Sequence, residues 1–276
     1  MGNIRVLVTG ASGRMAREVL AAAAQEPDLS LVGAVSRKAE GDALTLTNGA
    51  SVPLYNDLAA SLAESRPDVL VDFSHPDATA QAIRVTLPRG VAMVIGTSNL
   101  GDATVSELRG LCEEHKVGAI WAPNFAIGAV LLMHLARLAA PHFESAEIIE
   151  LHHDAKADAP SGTALATAQG MVAARERPFT RHQTQKQTLP GTRGGDWEGV
   201  GIHSVRLPGL VAHQEVLFGA RGQVLTLRHD SLSRESFMPG VLMAIRAVRG
   251  LDRLVVGLDS LLGLSSSETG QHSVLI

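Results

Sequence analysis

Aromatic side chains make up only 3% of the 276 residues. That leaves few base-stacking surfaces and argues against single-stranded nucleic-acid binding. A surplus of positive charge is also lacking. The formal net charge is -4, so no overall positive field would draw in a phosphate backbone, and no nucleic-acid partner is expected. Cysteine is nearly absent. Cys112 is the single one, which excludes an intrachain disulfide and any multi-cysteine zinc or iron–sulfur site. The longest apolar helical pattern, Ala126 to Ala140, is interrupted by His134 and Arg137 and is too short to span a bilayer. The N-terminus enters an apolar strand pattern directly, without a basic segment and a cleavable apolar core. A soluble cytoplasmic chain with no membrane partner is therefore expected. Hydrophobic residues at 45% and charged residues at 19% suit a globular protein. The length suits one large domain or two modest ones.

Ile4 to Val8 is a β-branched-rich run, and a helical pattern follows from Arg14 to Gln25. Between them lies Gly10-Ala11-Ser12-Gly13-Arg14-Met15-Ala16. Strand, glycine turn and helix in that order open a nucleotide-binding βαβ unit. Gly10 can take the tight turn, and Gly13 lets backbone approach a pyrophosphate at the helix N-terminus. An ordinary strand–helix turn would read the same way. The next strand pattern, Leu29 to Val35, ends in Ser36-Arg37-Lys38, where this fold places its ribose discriminator. Ser36 is not acidic, and Arg37 suits a 2′-phosphate, so the reading leans to NADPH with NADH possible. Two solvated surface charges are the plainer alternative.

Three more short apolar runs, Val69 to Phe73, Val91 to Ile95 and Ala119 to Ala122, read as parallel strands covered on both faces. Helical patterns separate them at Asp57 to Glu64, Asp77 to Leu87 and Asp102 to His115. Their tips, Ser74-His75, Gly96-Thr97-Ser98 and Pro123-Asn124-Phe125, form the expected cofactor wall, since ligands of open α/β sheets bind beyond the carboxyl ends of the strands. From about Ala146 the rhythm changes. A helix is expected from Ala164 to Glu176, and the stretch Arg177 to Gly199 shows no periodicity. Gly201 to Leu207, Val211 to Phe218 and Val224 to His229 follow, separated by the turns Leu207-Pro208-Gly209 and Ala220-Arg221-Gly222. Such short connections imply antiparallel pairing. The expected class is α/β: a Rossmann-type nucleotide-binding domain with a mainly parallel sheet, then an α+β domain with a mainly antiparallel sheet. Phe237 to Val248 is helical in pattern, and the tail beyond Leu264 is expected to be loosely ordered.

The densest chemistry lies between Glu150 and Ala164. An apolar run from Ala146 to Leu151 delivers His152 and His153, a polar loop carries Lys156 and Asp158, and Pro160-Ser161-Gly162-Thr163 leads into a helix. These supply a proton donor, a fixed cation and backbone N–H groups for an anion, most simply a carboxylate. Adjacent residues at a strand end face opposite ways, so one histidine of the pair serves a reacting centre and a metal site using both is poor. Ser161 as a simple helix cap and Lys156 as a surface charge are the bland readings.

Glu150-Leu151-His152-His153, Lys156 and Asp158-Ala159-Pro160-Ser161-Gly162-Thr163-Ala164 closely resemble the signature of the 4-hydroxy-tetrahydrodipicolinate reductases. That family catalyses the second committed step of the diaminopimelate route to lysine. The resemblance extends over nearly the whole chain. Gly10 to Met15 matches the nucleotide turn, Gly96-Thr97 the nicotinamide loop and Ala122 to Phe125 the next cofactor segment. It implies His152 as proton donor and acceptor, and Lys156 as its partner, donating a proton and holding substrate. His153 and Ser161-Gly162-Thr163 would bind the carboxylates of a small dicarboxylate substrate. It further implies a dinucleotide-binding domain of residues 1–125 and 235–276, a substrate-binding and oligomerisation domain of residues 126–234, and a homotetramer. Ser36 stands where several members carry an acidic ribose ligand, Ser98-Asn99 replaces Thr-Gly, and Pro123 replaces a common alanine. An amine dehydrogenase of the same fold and a non-catalytic nucleotide sensor are the competing functions; retention of His152 and the full anion loop disfavours both.

Overall fold

The computed structural model describes residues 2–264. The serine-rich tail beyond Leu264 lies outside the described residues. The elements, in chain order, begin with β1 (Ile4–Thr9), α1 (Arg14–Ala23), β2 (Leu29–Val35), β3 (Ala43–Thr45) and β4 (Ser51–Tyr55). Next come α2 (Leu58–Ser65), β5 (Val69–Asp72), α3 (Pro76–Thr86), β6 (Ala92–Ile95), α4 (Asp102–His115) and β7 (Ala119–Trp121). Then follow α5 (Ile127–Ala139), β8 (Ser145–His152), α6 (Gly162–Ala173), β9 (Gly195–Trp197) and β10 (Val200–Arg206). The last are β11 (Ala212–Ala220), β12 (Gln223–Ser231), α7 (Met238–Val248) and β13 (Leu254–Val256). The chain forms two compact units: the first runs to Phe125 and resumes at Phe237, and the second is Ala126–Ser236.

The first unit carries an eight-stranded sheet in the order β13-β7-β6-β5-β1-β2-β4-β3. All its pairings are parallel except β3 with β4. Strand order reverses beside β1, which pairs with both β2 and β5. That switch point leaves a crevice beyond the carboxyl ends of the strands. Val6, Leu7, Val8, Val69, Leu70, Val71, Met93, Val94 and Ile95 have no appreciable exposure, as central parallel strands require. This is the expected Rossmann-type architecture. Three short strands, β3, β4 and β13, were not expected. They lie at or beside the two sheet edges, and Pro53 of β4 falls before the two residues, Leu54 and Tyr55, through which β4 pairs with β2.

The second unit holds a five-stranded sheet in the order β12-β11-β8-β10-β9, mainly antiparallel as expected. One expectation fails. The Leu207-Pro208-Gly209 turn predicts β10 and β11 as paired neighbours, yet they flank β8, with β10 parallel to it and β11 antiparallel. Burial in β8 alternates over Ser145–His152, and seating this strand at the centre pairs the backbone groups of both its edges. Ala146, Ile148, Val216, Phe218 and Ile202 meet Ala164, Ala168 and Met171 of α6 in the core. Within the stretch Arg177 to Gly199, which shows no periodicity in sequence, the regular structure is confined to β9 at its end. β9 pairs with β10 through Glu198 and Gly199, both at positive φ (49° and 89°), the geometry of a tight hairpin turn. The guanidinium of Arg181 ties the preceding loop down, binding Asp196 Oδ2 at 2.6 Å and the carbonyls of Arg193 and Gly195.

Candidate active site

The first unit presents a cleft of about 630 Å³ beyond the strand ends, lined among others by Gly10, Ser12, Gly13, Arg37, Lys38 and Asp72. The glycine turn and the cationic end of β2 thus share one cavity. Gly10 sits at φ +75°, and a Cβ there would come within 2.5 Å of the Phe73 carbonyl oxygen. Only glycine fits that turn without displacing backbone. Gly13 caps α1 without a side-chain hydrogen bond, and no acidic residue lies in the first turn of the helix. Its N–H groups can therefore receive an anion such as a pyrophosphate. Ala11 is buried, its N–H bonded to the Val35 carbonyl, while Arg14 is exposed and Met15 half-buried.

Among the described residues, two carboxylates line this cleft, Asp57 and Asp72. Asp57 caps α2, accepting the Ala60 N–H at 2.7 Å. Asp72 is fully buried and accepts hydroxyl protons from Thr9 at 2.5 Å, from Thr97 at 3.1 Å and from Thr79. Thr97 Oγ1 in turn accepts the Ser74 N–H at 3.1 Å, and the Thr97 carbonyl accepts Trp121 Nε1–H at 3.0 Å. Asp72 therefore fastens the tips of β1, β5 and β6 to the start of α3. Sequence reasoning passed over it, although an acid inside the apolar run Val69 to Phe73 is itself a signal. Ser36 is buried, with Oγ accepting the Lys38 N–H at 3.2 Å, so it shapes the turn that carries Arg37 and Lys38. Gly96, Thr97 and Ser98 follow β6, and Ala122, Pro123, Asn124 and Phe125 follow β7; none of these lines the cleft. Gly96 lies against the Phe73 ring, and that ring packs on Phe125 with centroids 5.7 Å apart.

In the second unit, the alternation of β8 puts Ala146, Ile148, Glu150 and His152 on one face. Glu150 is fully buried, and its Oε2 lies 2.5 Å from His152 Nδ1. β10 lies parallel alongside, setting Ser204 opposite Glu150 and Arg206 opposite His152. The Arg206 guanidinium then donates to both Glu150 oxygens at 2.9 and 2.8 Å, and to the Asp158 carbonyl at 2.6 Å. Burial is the largest single influence on the Glu150 carboxyl and pushes it up. The bonds from His152, Arg206 and Ser204 outweigh it and hold the group at about 2. Neither Glu150 nor Arg206 was assigned a role from the sequence. Period-two spacing to His152 could have flagged the first, whereas Arg206 becomes a neighbour only through strand register.

Lys156 Nζ donates to Asp158 Oδ1 at 2.7 Å, and that bond holds the Asp158 carboxyl below its ordinary range. His153 lies just beyond the end of β8, half-buried, and its carbonyl accepts the Lys156 N–H at 3.2 Å. Ser161 is buried and committed: its N–H donates to Glu150 Oε1 at 3.1 Å, and its hydroxyl caps α6 by accepting the Ala164 N–H at 3.2 Å. Gly162 and Thr163 form the first turn of α6, which has no acidic residue. A Cβ at Gly162 would meet nothing within 4 Å, so packing does not require glycine there. The loop thus offers an imidazole oriented by a carboxylate, an ammonium, and a helix N-terminus open to a carboxylate ligand. Among the described residues, no three histidine, cysteine, aspartate or glutamate side chains are grouped so as to hold a metal ion, and no helix is long and apolar enough to cross a membrane.

Family models describe both halves of the chain. The dihydrodipicolinate reductase N-terminus model matches residues 4–125, and the corresponding C-terminus model matches residues 128–262. The 4-hydroxy-tetrahydrodipicolinate reductase of Moorella thermoacetica is 49% identical over 265 residues, spanning 95% of this chain and 99% of the relative. That of Geobacillus kaustophilus is 47% identical over 262 residues, spanning 94% and 99%. A dipicolinate-bound dihydrodipicolinate reductase from Paenisporosarcina sp. TG-14 superposes with a TM-score of 0.83 at 43% identity, over 94% of this chain and 99% of that one. An amine dehydrogenase from Mycobacterium smegmatis, at 16% identity and a TM-score of 0.61 over 91% and 96% of the two chains, shares the fold alone.

Proposed function

The chain belongs to the dihydrodipicolinate reductase family, an oxidoreductase family that reduces 4-hydroxy-tetrahydrodipicolinate on the way to diaminopimelate and lysine, and from that premise we propose how its residues divide the work. The first unit binds the nicotinamide dinucleotide. Gly10 to Met15 take the pyrophosphate, while Gly96-Thr97-Ser98 and Ala122 to Phe125 take the nicotinamide side. When bound, the reduced nicotinamide supplies a hydride. NADPH is the preferred cofactor and NADH the weaker one. Arg37 and Lys38 share the cleft with the glycine turn and offer two cations to a 2′-phosphate, while the buried carboxylate of Asp72 is taken up by three threonine hydroxyls.

The second unit holds the substrate. Gly162 and Thr163 receive one carboxylate at the N-terminus of α6, His153 receives the other, and Ser161 shapes the turn as its cap. His152 delivers the proton that completes reduction, with Lys156 as its partner in proton supply and substrate binding. The observation that carries this reading is that the Glu150 carboxylate joins His152, at the end of β8, to the Ser161 cap of α6, with Lys156 on the loop between them. The enzyme is read as a cytoplasmic homotetramer. The apolar side chains Ile149, Leu151, Val205 and Leu217 on the outer face of the five-stranded sheet are only half-buried within one chain. Sedimentation at the mass of a single chain would rule that assembly out. The reaction is tested by generating substrate with the upstream synthase from pyruvate and aspartate semialdehyde, then following loss of nicotinamide absorbance. Oxidation that depends on the synthase is expected; none with either cofactor would overturn the reading.

A further inference from the structure

Glu150 is a fully buried carboxylate that the reduction does not itself call for. A purely structural role would need only its outer partners. Arg206 grips both oxygens at 2.9 and 2.8 Å, and the Ser161 N–H reaches Oε1 at 3.1 Å, joining β10 and the start of α6 to β8. The contact from His152 Nδ1 to Oε2 at 2.5 Å adds nothing to that joint. An ionised carboxylate can only accept, so Nδ1 must carry the hydrogen in this contact. Nε2 is then the ring atom left to exchange a proton. Arg206 keeps the carboxylate charged, and the same guanidinium holds the Asp158 carbonyl at 2.6 Å, fixing the loop that carries Lys156.

We infer that Glu150 is a positioning residue that locks His152 in the Nδ1–H tautomer and makes Nε2 the proton-donating atom, with Arg206 holding Glu150 in the charged, accepting state. The inference rests on the reading of His152 as the donor. In the step, the Nε2–H bond of the imidazolium breaks and its proton passes to the substrate skeleton that has taken up the hydride. The imidazole keeps its Nδ1–H. Both electrons come with the hydride, and the protein is neither oxidised nor reduced.

The test starts on the unaltered enzyme, labelled with ¹⁵N-histidine, with Glu150→Gln for comparison and His152→Gln to assign the ring signals. The neutral His152 ring should show the Nδ1–H pattern. In Glu150→Gln, whose amide can either donate or accept, that pattern should give way to a mixture, and kcat should fall about 10²–10⁴-fold while cofactor affinity holds. An Nε2–H ring in the unaltered enzyme overturns the proposal, as does a Glu150→Gln protein with unchanged tautomer and unchanged kcat. Should Glu150→Gln not fold, the tautomer of the unaltered enzyme decides. An unaltered kcat in His152→Gln would instead remove the donor reading itself, and the tautomer would then carry no catalytic meaning.

Discussion

Replacing Gly10 with alanine separates two costs that the glycine turn avoids. The first is backbone conformation. At φ +75° an L-residue is disfavoured by about 1–2 kcal/mol. The second is space. The new Cβ would stand 2.5 Å from the Phe73 carbonyl oxygen and 3.0 Å from its carbon, both backbone atoms at the end of β5. Backbone must move to admit it, and overpacking of this kind adds about 1–3 kcal/mol. Gly90 provides the comparison, because it has the same φ of +75° with nothing within 4 Å of its Cβ position. Gly90→Ala should thus lose the conformational part alone and bind cofactor normally. Gly10→Ala should lose about twice as much stability and bind NADPH more weakly, because the displaced turn no longer aims the α1 N-terminus. Thermal unfolding measured beside fluorescence titration of NADPH reads both. Equal stability losses, or a Gly10→Ala protein with native NADPH affinity, would refute the reasoning.

Arg37→Ala should raise the KM for NADPH far more than that for NADH, since a guanidinium reads the 2′-phosphate and NADH has none; parallel changes in steady-state kinetics with the two cofactors would count against the assignment. Acid stability should report on Glu150. Its folded value of about 2 lies below the ordinary 4.5, so its contribution is fully present above pH 4.5 and is lost as pH falls toward 2. The difference amounts to about 3 kcal/mol, and urea unfolding of Glu150→Gln between those pH values should show a correspondingly shallower acid limb. An acid limb as steep as that of the unaltered protein would remove Glu150 from the balance.

The parallel sheet was legible because Ile4 to Val8, Val69 to Phe73 and Val91 to Ile95 are apolar throughout, and buried parallel strands leave that mark. The short strands β3, β9 and β13 leave none: three residues are too few for a period to emerge. The place of β8 was hidden for another reason. A turn such as Leu207-Pro208-Gly209 fixes where a chain reverses, not which strand it will lie beside, and β8 is more than fifty residues upstream of that turn. The candidate site divides along the same line. His152, His153, Lys156 and Ser161 to Thr163 stand close in sequence and were visible as a cluster. Arg206, brought beside His152 by the register of β10 on β8, was not. Asp72 and Glu150 lay within stretches read as strand, where apolar neighbours obscured acids that the fold buries and satisfies.

The assignment of His152 as proton donor is reached most directly by measuring kcat of His152→Gln together with its dissociation constant for NADPH. A fall in kcat of about 10²–10⁴-fold, with NADPH affinity unaltered, is the expected result. A variant that turns over at the native rate would contradict it.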